Sequence, residues 1–207
     1  MRHSFLFFLL FLAACAPKVV PPEPLEARYK LAVAGFSQPL HGWDFLSGGM
    51  PQPDKLIDEK TLLVLDRLLR EAMQAKRRDF QGPKFIHACQ ELLLAGQNRS
   101  QLSAYEYWLE VGRCLAVDYL LIPFAFSWQE REGGEWGAEK PAHVAFELNL
   151  MEIQSGRIQR FCFDEKQKSL LEDLFRAGRF FQRGGRWILA EELAAEGLAL
   201  GVTELGL

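Results

Sequence analysis

Tyr119-Leu-Leu-Ile-Pro-Phe-Ala-Phe-Ser-Trp128 is a continuous apolar run, and it reads as a strand covered on both faces. Pro123 cannot donate to a ladder, so a bulge or an edge is expected there. Downstream, Gln129 to Pro141 is polar with Gly133-Gly134 at its centre and reads as a turn between antiparallel strands. The next strand alternates: Val144, Phe146, Leu148 and Leu150 point one way while His143, Glu147 and Asn149 point the other, so one packed face and one wet face are expected. Gln154-Ser-Gly-Arg157 then turns tightly into Ile158 to Phe163, completing a hairpin.

Upstream, Ser103-Ala-Tyr-Glu106 has the arrangement in which a serine hydroxyl accepts from the third helical amide and a glutamate reaches back. A helix should start there, with Tyr105, Trp108, Val111, Leu115 and Ala116 on its buried face and Asp118 ending it. Lys30-Leu-Ala-Val-Ala-Gly-Phe36 reads as a short strand. From Asp54 or Asp58 the apolar residues Leu62, Leu65, Leu68, Leu69, Ala72 and Met73 follow helical spacing, with Glu59, Asp66, Arg67, Arg70 and Glu71 on the other face. Gly82-Pro83 stops that segment, Lys84-Phe85-Ile86-His87 reads as a weak strand, and Gln90 to Ala95 as a short helix before a loop at Gly96-Gln97-Asn98. Ser169-Leu-Leu-Glu172 repeats the capping pattern, and Gly184-Gly185 precedes a last amphipathic segment beginning near Leu189, with Leu193, Ala194, Gly197, Leu198 and Gly201 on its stripe. The fold class is therefore α/β (α+β): a single domain with a mixed β-sheet of about four or five strands, a carboxy-terminal β-hairpin and helices packed on the sheet.

The chain's beginning reads differently. Arg2 is a positive start, Phe5 to Leu12 an apolar core, and Ala13-Ala14 the small residues that a peptidase requires. The run is far shorter than the ~20 residues that a membrane-spanning helix needs. Leu12-Ala13-Ala14-Cys15 resembles the lipobox of bacterial lipoproteins. That resemblance implies cleavage before Cys15, diacylation of its thiol and acylation of the new amino terminus, and Ala16 in the next position implies outer-membrane sorting. Residues 1–14 are then a signal peptide, 15–28 a lipidated cysteine and proline-rich tether, and 29–207 an α/β periplasmic domain.

Composition narrows the partners. The 207 residues carry a formal charge of −3, and removing the signal takes away Arg2 and makes the remainder more negative. Mild acidity argues against a nucleic-acid surface, and the Lys76-Arg77-Arg78 run closes a helix where cations complement the dipole. Cys89, Cys114 and Cys162 remain after Cys15. An odd count cannot pair completely; the expectation is buried small apolar residues, with one disulfide among them as the alternative in an oxidising compartment.

No G-x-S-x-G elbow, H-E-x-x-H pair or phosphate loop occurs, so no catalytic residue, metal site or cofactor is assigned. His41, His87 and His143 lie far apart in sequence, although the fold could bring them together. Two stretches suggest contact with a partner. The loop from Ser37 to Pro53 is long and full of breakers, and His41, Trp43 and Asp44 stand in it; the plainer alternative is that Trp43 and Phe45 pin the loop to the domain. Arg179-Phe-Phe-Gln-Arg-Gly-Gly-Arg-Trp187 sets Phe180, Phe181 and Trp187 among Arg179, Arg183 and Arg186, the residue types that dominate interface hot spots; here the alternative is that the aromatics tuck the last helix onto the sheet.

Three stretches carry a fold-level resemblance: Lys30-Leu-Ala-Val-Ala-Gly-Phe36, Val117-Asp-Tyr-Leu-Leu-Ile122 and Leu150-Met-Glu-Ile-Gln-Ser-Gly156. They resemble the first strand, the strand start and the hairpin turn of the α/β domain shared by envelope lipoproteins akin to the curli secretion lipoprotein, the amino-terminal domain of the Tol-system translocation protein and the outer-membrane lipoprotein activators of peptidoglycan synthases. A secretion pore would need several lipid-facing strands of ~9–11 residues, and Arg157 and Arg160 interrupt the hairpin that comes nearest. The sequence thus points to a lipid-anchored interaction module that binds another envelope protein, attached to the membrane through its lipid alone. A small-ligand or hydrolytic domain is the alternative, and self-association through a sheet edge stays open.

Overall fold

In the computed structural model, which describes residues 23–41, 44–46, 55–96, 102–167 and 184–207, the run from Tyr119 forms β2 (Tyr119–Gln129) inside a four-stranded mixed sheet. The sheet is ordered β1-β2-β5-β6. β1 (Leu31–Val33) lies parallel to β2, whereas β5 (His143–Glu152) is antiparallel to β2 and to β6 (Ile158–Lys166). A ribbon of β3 (Glu132–Gly134) and β4 (Gly137–Lys140) projects between β2 and β5. Helices α1 (Glu59–Ala75), α2 (Pro83–Gly96) and α3 (Ala104–Leu115) connect β1 to β2, and α4 (Ala190–Glu204) ends the chain. No helix among the described residues is long and apolar enough to cross a membrane.

The two faces of the sheet are closed by different helices. On one, Leu65, Leu69 and Met73 of α1 and Leu193, Leu198 and Val202 of α4 cover Leu121, Phe146, Leu148, Phe161 and Phe163. A Cβ on Gly197 would stand 2.8 Å from Phe163 and one on Gly201 2.6 Å from Phe161, so α4 reaches β6 only because those positions lack side chains. On the other face, Ile86 of α2 and Trp108 and Val111 of α3 cover Ala32, Leu120, Ile122 and Phe124. The α/β class and the four-stranded mixed sheet agree with the sequence reading.

Several caps form as their residues dictate. Ser103 Oγ accepts from the Glu106 amide at 3.3 Å while Glu106 Oε2 accepts from the Ser103 amide at 2.9 Å. That backbone bond, followed by the serine hydroxyl, holds the Glu106 carboxyl below its ordinary range. Asp58 caps α1 by accepting from Thr61 N at 2.8 Å. Pro123 also behaves as its chemistry requires. The amides of Tyr119 and Ala125 bond Lys30 and Ser37 on the β1 side, so the missing donor of Pro123 faces that side too. There the pairing jumps from Val33–Leu121 to a lone bridge at Ser37–Phe124, with one extra residue on the β1 side.

Other expectations are corrected. Lys84 to His87 is not a strand but the first turn of α2: Pro83 opens the helix, where a missing amide costs nothing, and Ile86 and Cys89 turn inward. Cys89 and Cys114 are joined in a disulfide across the α2–α3 pair, with Cα atoms 5.9 Å apart, and Cys162 is exposed, so buried free thiols are not the outcome. The polar side of β5 is not wet. Glu147 is 3% and Asn149 0% exposed, because they share the face of β5 on which Ala145 and Met151 pack into the cluster under α2 and α3. Asp66 is half-buried rather than on a free helix face, and Tyr105 is exposed, its hydroxyl donating to Gly156 O at 3.1 Å. β6 runs on to Lys166, and the polar stretch after Gln129 is a paired ribbon rather than a simple turn. Ser169 to Glu172 lies outside the described residues.

Candidate functional site

Chain direction gathers the described candidates at one end of the sheet. β1 and β2 end there, β5 begins there and β6 finishes there. His41 and Asp44 follow β1, and Arg186 and Trp187 follow the stretch after β6. Trp43, Arg179, Phe180, Phe181, Arg183 and the lipidation candidate Cys15 lie outside the described residues.

Asp44 is occupied locally. Its Oδ2 accepts from the amides of Leu40 at 3.2 Å and His41 at 3.1 Å, and its own amide donates to His41 O at 2.9 Å, so it ties a tight turn. Phe45 stacks on Phe126 with ring centroids 5.9 Å apart, which is the aromatic pinning weighed for this loop. His41, Asp44 and His87 line one groove of about 1180 Å³ between the end of β1 and helices α1, α2 and α3. Its floor carries Asp66, whose Oδ1 accepts from Phe36 N at 2.6 Å. Burial pushes the Asp66 carboxyl above the ordinary carboxylate range, opposed by the Phe36 amide and by Arg70. His143 stands apart from this groove. Among the described residues no three His, Cys, Asp or Glu side chains gather as metal ligands.

The second surface is built around the ribbon. Its tip carries Glu135 and Trp136, and Trp136 is 80% exposed. The chain ahead of α4 braces the ribbon at tip and base: Trp187 N donates to Glu135 O at 2.8 Å, and an Arg131 guanidinium nitrogen donates to Trp187 O. Arg186 bonds Glu192 at 2.9 Å and lies 3.8 Å from Glu135. Gln167 holds the same segment, donating to Arg186 O and accepting from Ile188 N. Trp136 escaped the sequence reading, although a lone aromatic between glycines in a polar stretch was a usable signal.

A third cluster crosses three strands. Ser127 Oγ lies 3.1 Å from His143 Nδ1, and His143 Nε2 lies 2.8 Å from Asp164 Oδ1. The residue types are those of a hydrolytic triad, but the side chain of Asp164 is 64% exposed, whereas an orienting carboxylate works buried beside its imidazole. The row serves as a tie across β2, β5 and β6. Nearby, Cys162 Sγ faces Glu147 Oε2 at 3.6 Å, and burial first, then Glu147, push the thiol up and away from thiolate reactivity.

No protein-family model and no curated protein sequence matches the chain. The chain is similar to solved bacterial proteins at low identity. A PelC dodecamer from Paraburkholderia phytofirmans is 14% identical, with 91% of this chain and 94% of that one covered at a TM-score of 0.45. The LpoB C-terminal domain from Escherichia coli is 13% identical over 77% of this chain and 93% of that one, at a TM-score of 0.40. Lipoprotein GNA1162 from Neisseria meningitidis is 10% identical over 76% and 99%, at a TM-score of 0.37.

Proposed function

We propose that the chain is a lipid-anchored periplasmic module at the outer membrane that binds or regulates another cell-envelope protein. The observation that carries this reading is Trp136, 80% exposed on a ribbon tied to the Trp187 backbone through Arg131 at its base and Glu135 at its tip. A large aromatic held in solvent on a braced support offers contact area with little ordering cost, and neighbouring Arg186 adds the other residue type typical of hot spots. Placement favours the same reading. The chain enters the domain near Leu25, whose amide bonds Gly206 O, and proceeds to the start of β1. The ribbon lies at the opposite end, about 35 Å away along an eleven-residue strand. A lipid at Cys15 would therefore leave Trp136 facing away from the bilayer.

The experiment is affinity capture of the lipidated protein from cross-linked envelopes, comparing wild type with Trp136→Ala. Wild type is expected to retain a specific protein that Trp136→Ala loses by at least tenfold. Equal recovery with both would remove Trp136 from the interface. The ligand-binding alternative is favoured by the groove at Asp66, and a small molecule co-purifying with wild type but not with Asp66→Asn would favour it over the first.

A further inference from the structure

β6 is the edge of the sheet away from β1. Bonds from Glu152 N to Arg157 O at the hairpin and from Gln167 N to Ala142 O at the other end set the parity of its ladder, so its odd-numbered residues bond β5. The amides and carbonyls of Ile158, Arg160, Cys162, Asp164 and Lys166 point away from the sheet. Among the described residues these groups have no backbone partner. An open edge is a template for pairing, and charged side chains ordinarily discourage it.

Here the order of the charges reverses that effect. Laid antiparallel against a second copy of itself at full nine-residue overlap, β6 is centred on Cys162 and sets Arg160 of each copy opposite Asp164 of the other. Outward-facing residues then meet as hydrogen-bonded pairs, with Cα atoms about 5.5 Å apart. Moving the register by one ladder step, two residues, sets Arg160 against Cys162 in one direction and against Lys166 in the other, and a second step sets Arg160 against Arg160 or Asp164 against Asp164. Opposite charges across a strand pair stabilise and like charges destabilise, so the full overlap, which alone pairs Arg160 with Asp164, is the favoured register. Asp164 already places Oδ1 on His143, and Arg160 already lies 3.7 Å from Glu147 through Nε, so the pair between copies uses Asp164 Oδ2 and the terminal nitrogens of Arg160. Phe161 and Phe163 remain under α4 and need not move.

We propose that two copies of the chain pair antiparallel through β6 about a two-fold axis at Cys162, merging two four-stranded sheets into one. The occupant of the edge is a second copy because the complementarity is written into β6 itself. The ribbon at Trp136 is a separate surface, so this dimer stands independently of the envelope partner.

The test uses the full chain in detergent solution at alkaline pH, where the raised Cys162 thiol ionises, with sedimentation to read mass and a short bis-maleimide followed by peptide mapping to read proximity. Wild type is expected to be dimeric and to yield a Cys162–Cys162 cross-linked peptide. Asp164→Arg, which sets like charges opposite each other, is expected to weaken the dimer at least tenfold. Cys162→Pro removes an amide that points out of the ladder, so it is expected to abolish the dimer while circular dichroism and thermal midpoint report an intact fold. Trp136→Ala is expected to leave the dimer unchanged even where it loses the envelope partner. A wild-type chain that stays monomeric, a dimer without the Cys162 cross-link, or a folded Asp164→Arg or Cys162→Pro protein with wild-type affinity overturns the proposal.

Discussion

The two faces of one sheet are closed by different means. Under α1 and α4 the contact is dry and close, with Phe146 fully buried against Phe161 and Phe163 and α4 brought down by Gly197 and Gly201. Under α2 and α3 the helices are stapled by the Cys89–Cys114 disulfide, the strands carry buried Glu147 and Asn149, and a groove opens between these helices and Asp66 of α1. The first face holds the fold by packing. The second carries polar groups at positions that packing alone would fill with apolar ones, and a covalent link offsets what they forfeit.

Substitutions can break this contrast. The largest expected effect is Phe146→Ala, about 3–5 kcal/mol by urea denaturation, since it opens a cavity where the dry face is densest. Removing the disulfide with paired Cys89→Ser and Cys114→Ser changes is expected to cost about 3.5 kcal/mol, the loop-closure value for a crosslink spanning 25 residues. If the double serine protein loses more than Phe146→Ala, the second face is the stronger and the contrast is reversed. Ser103→Ala removes the cap of α3 and is expected to cost about 1 kcal/mol, with helix fraying localised by hydrogen exchange at Glu106 and Tyr107.

The smallest effect is one of pH. Asp66 has its folded-state carboxyl raised by burial, so its contribution to stability is present below the unfolded carboxylate range and is lost as pH rises through the raised value. Denaturation midpoints of wild type are therefore expected to fall relative to Asp66→Asn across that interval. A constant difference between the two proteins would show that the groove does not desolvate the carboxylate.

Legibility in the sequence followed the physics that each segment depends on. β2 and β5 were readable because apolar continuity and alternation are properties of the strand itself, and the Ser103–Glu106 cap because both partners lie within one turn. Lys84 to His87 misread because four residues cannot separate a period of two from one of 3.6, and the decisive residue was Pro83 just before them. The disulfide, the burial of Glu147 and the floor at Asp66 depend on which elements become neighbours, and local pattern does not encode that. Of the candidate site, the sequence placed His41 and Asp44 beside a real groove and Arg186 and Trp187 beside a real ribbon. It missed Trp136 and Asp66, whose meaning comes from exposure and burial rather than from spacing.

The start of the domain also has a mechanical meaning. Arg78 bonds the carbonyls of Leu25 and Glu26 through Nη1 and that of Tyr29 through Nη2, clasping the chain just before β1. β1 is then held on one side by β2 and on the other by Gln81, which exchanges bonds with Leu31 and Val33. A pull on the chain ahead of Leu25 along the strand axis loads these bonds in shear, all at once, instead of peeling them singly. A domain held through its first strand in this way yields as a unit, so a load applied there is borne by the whole sheet rather than by one strand.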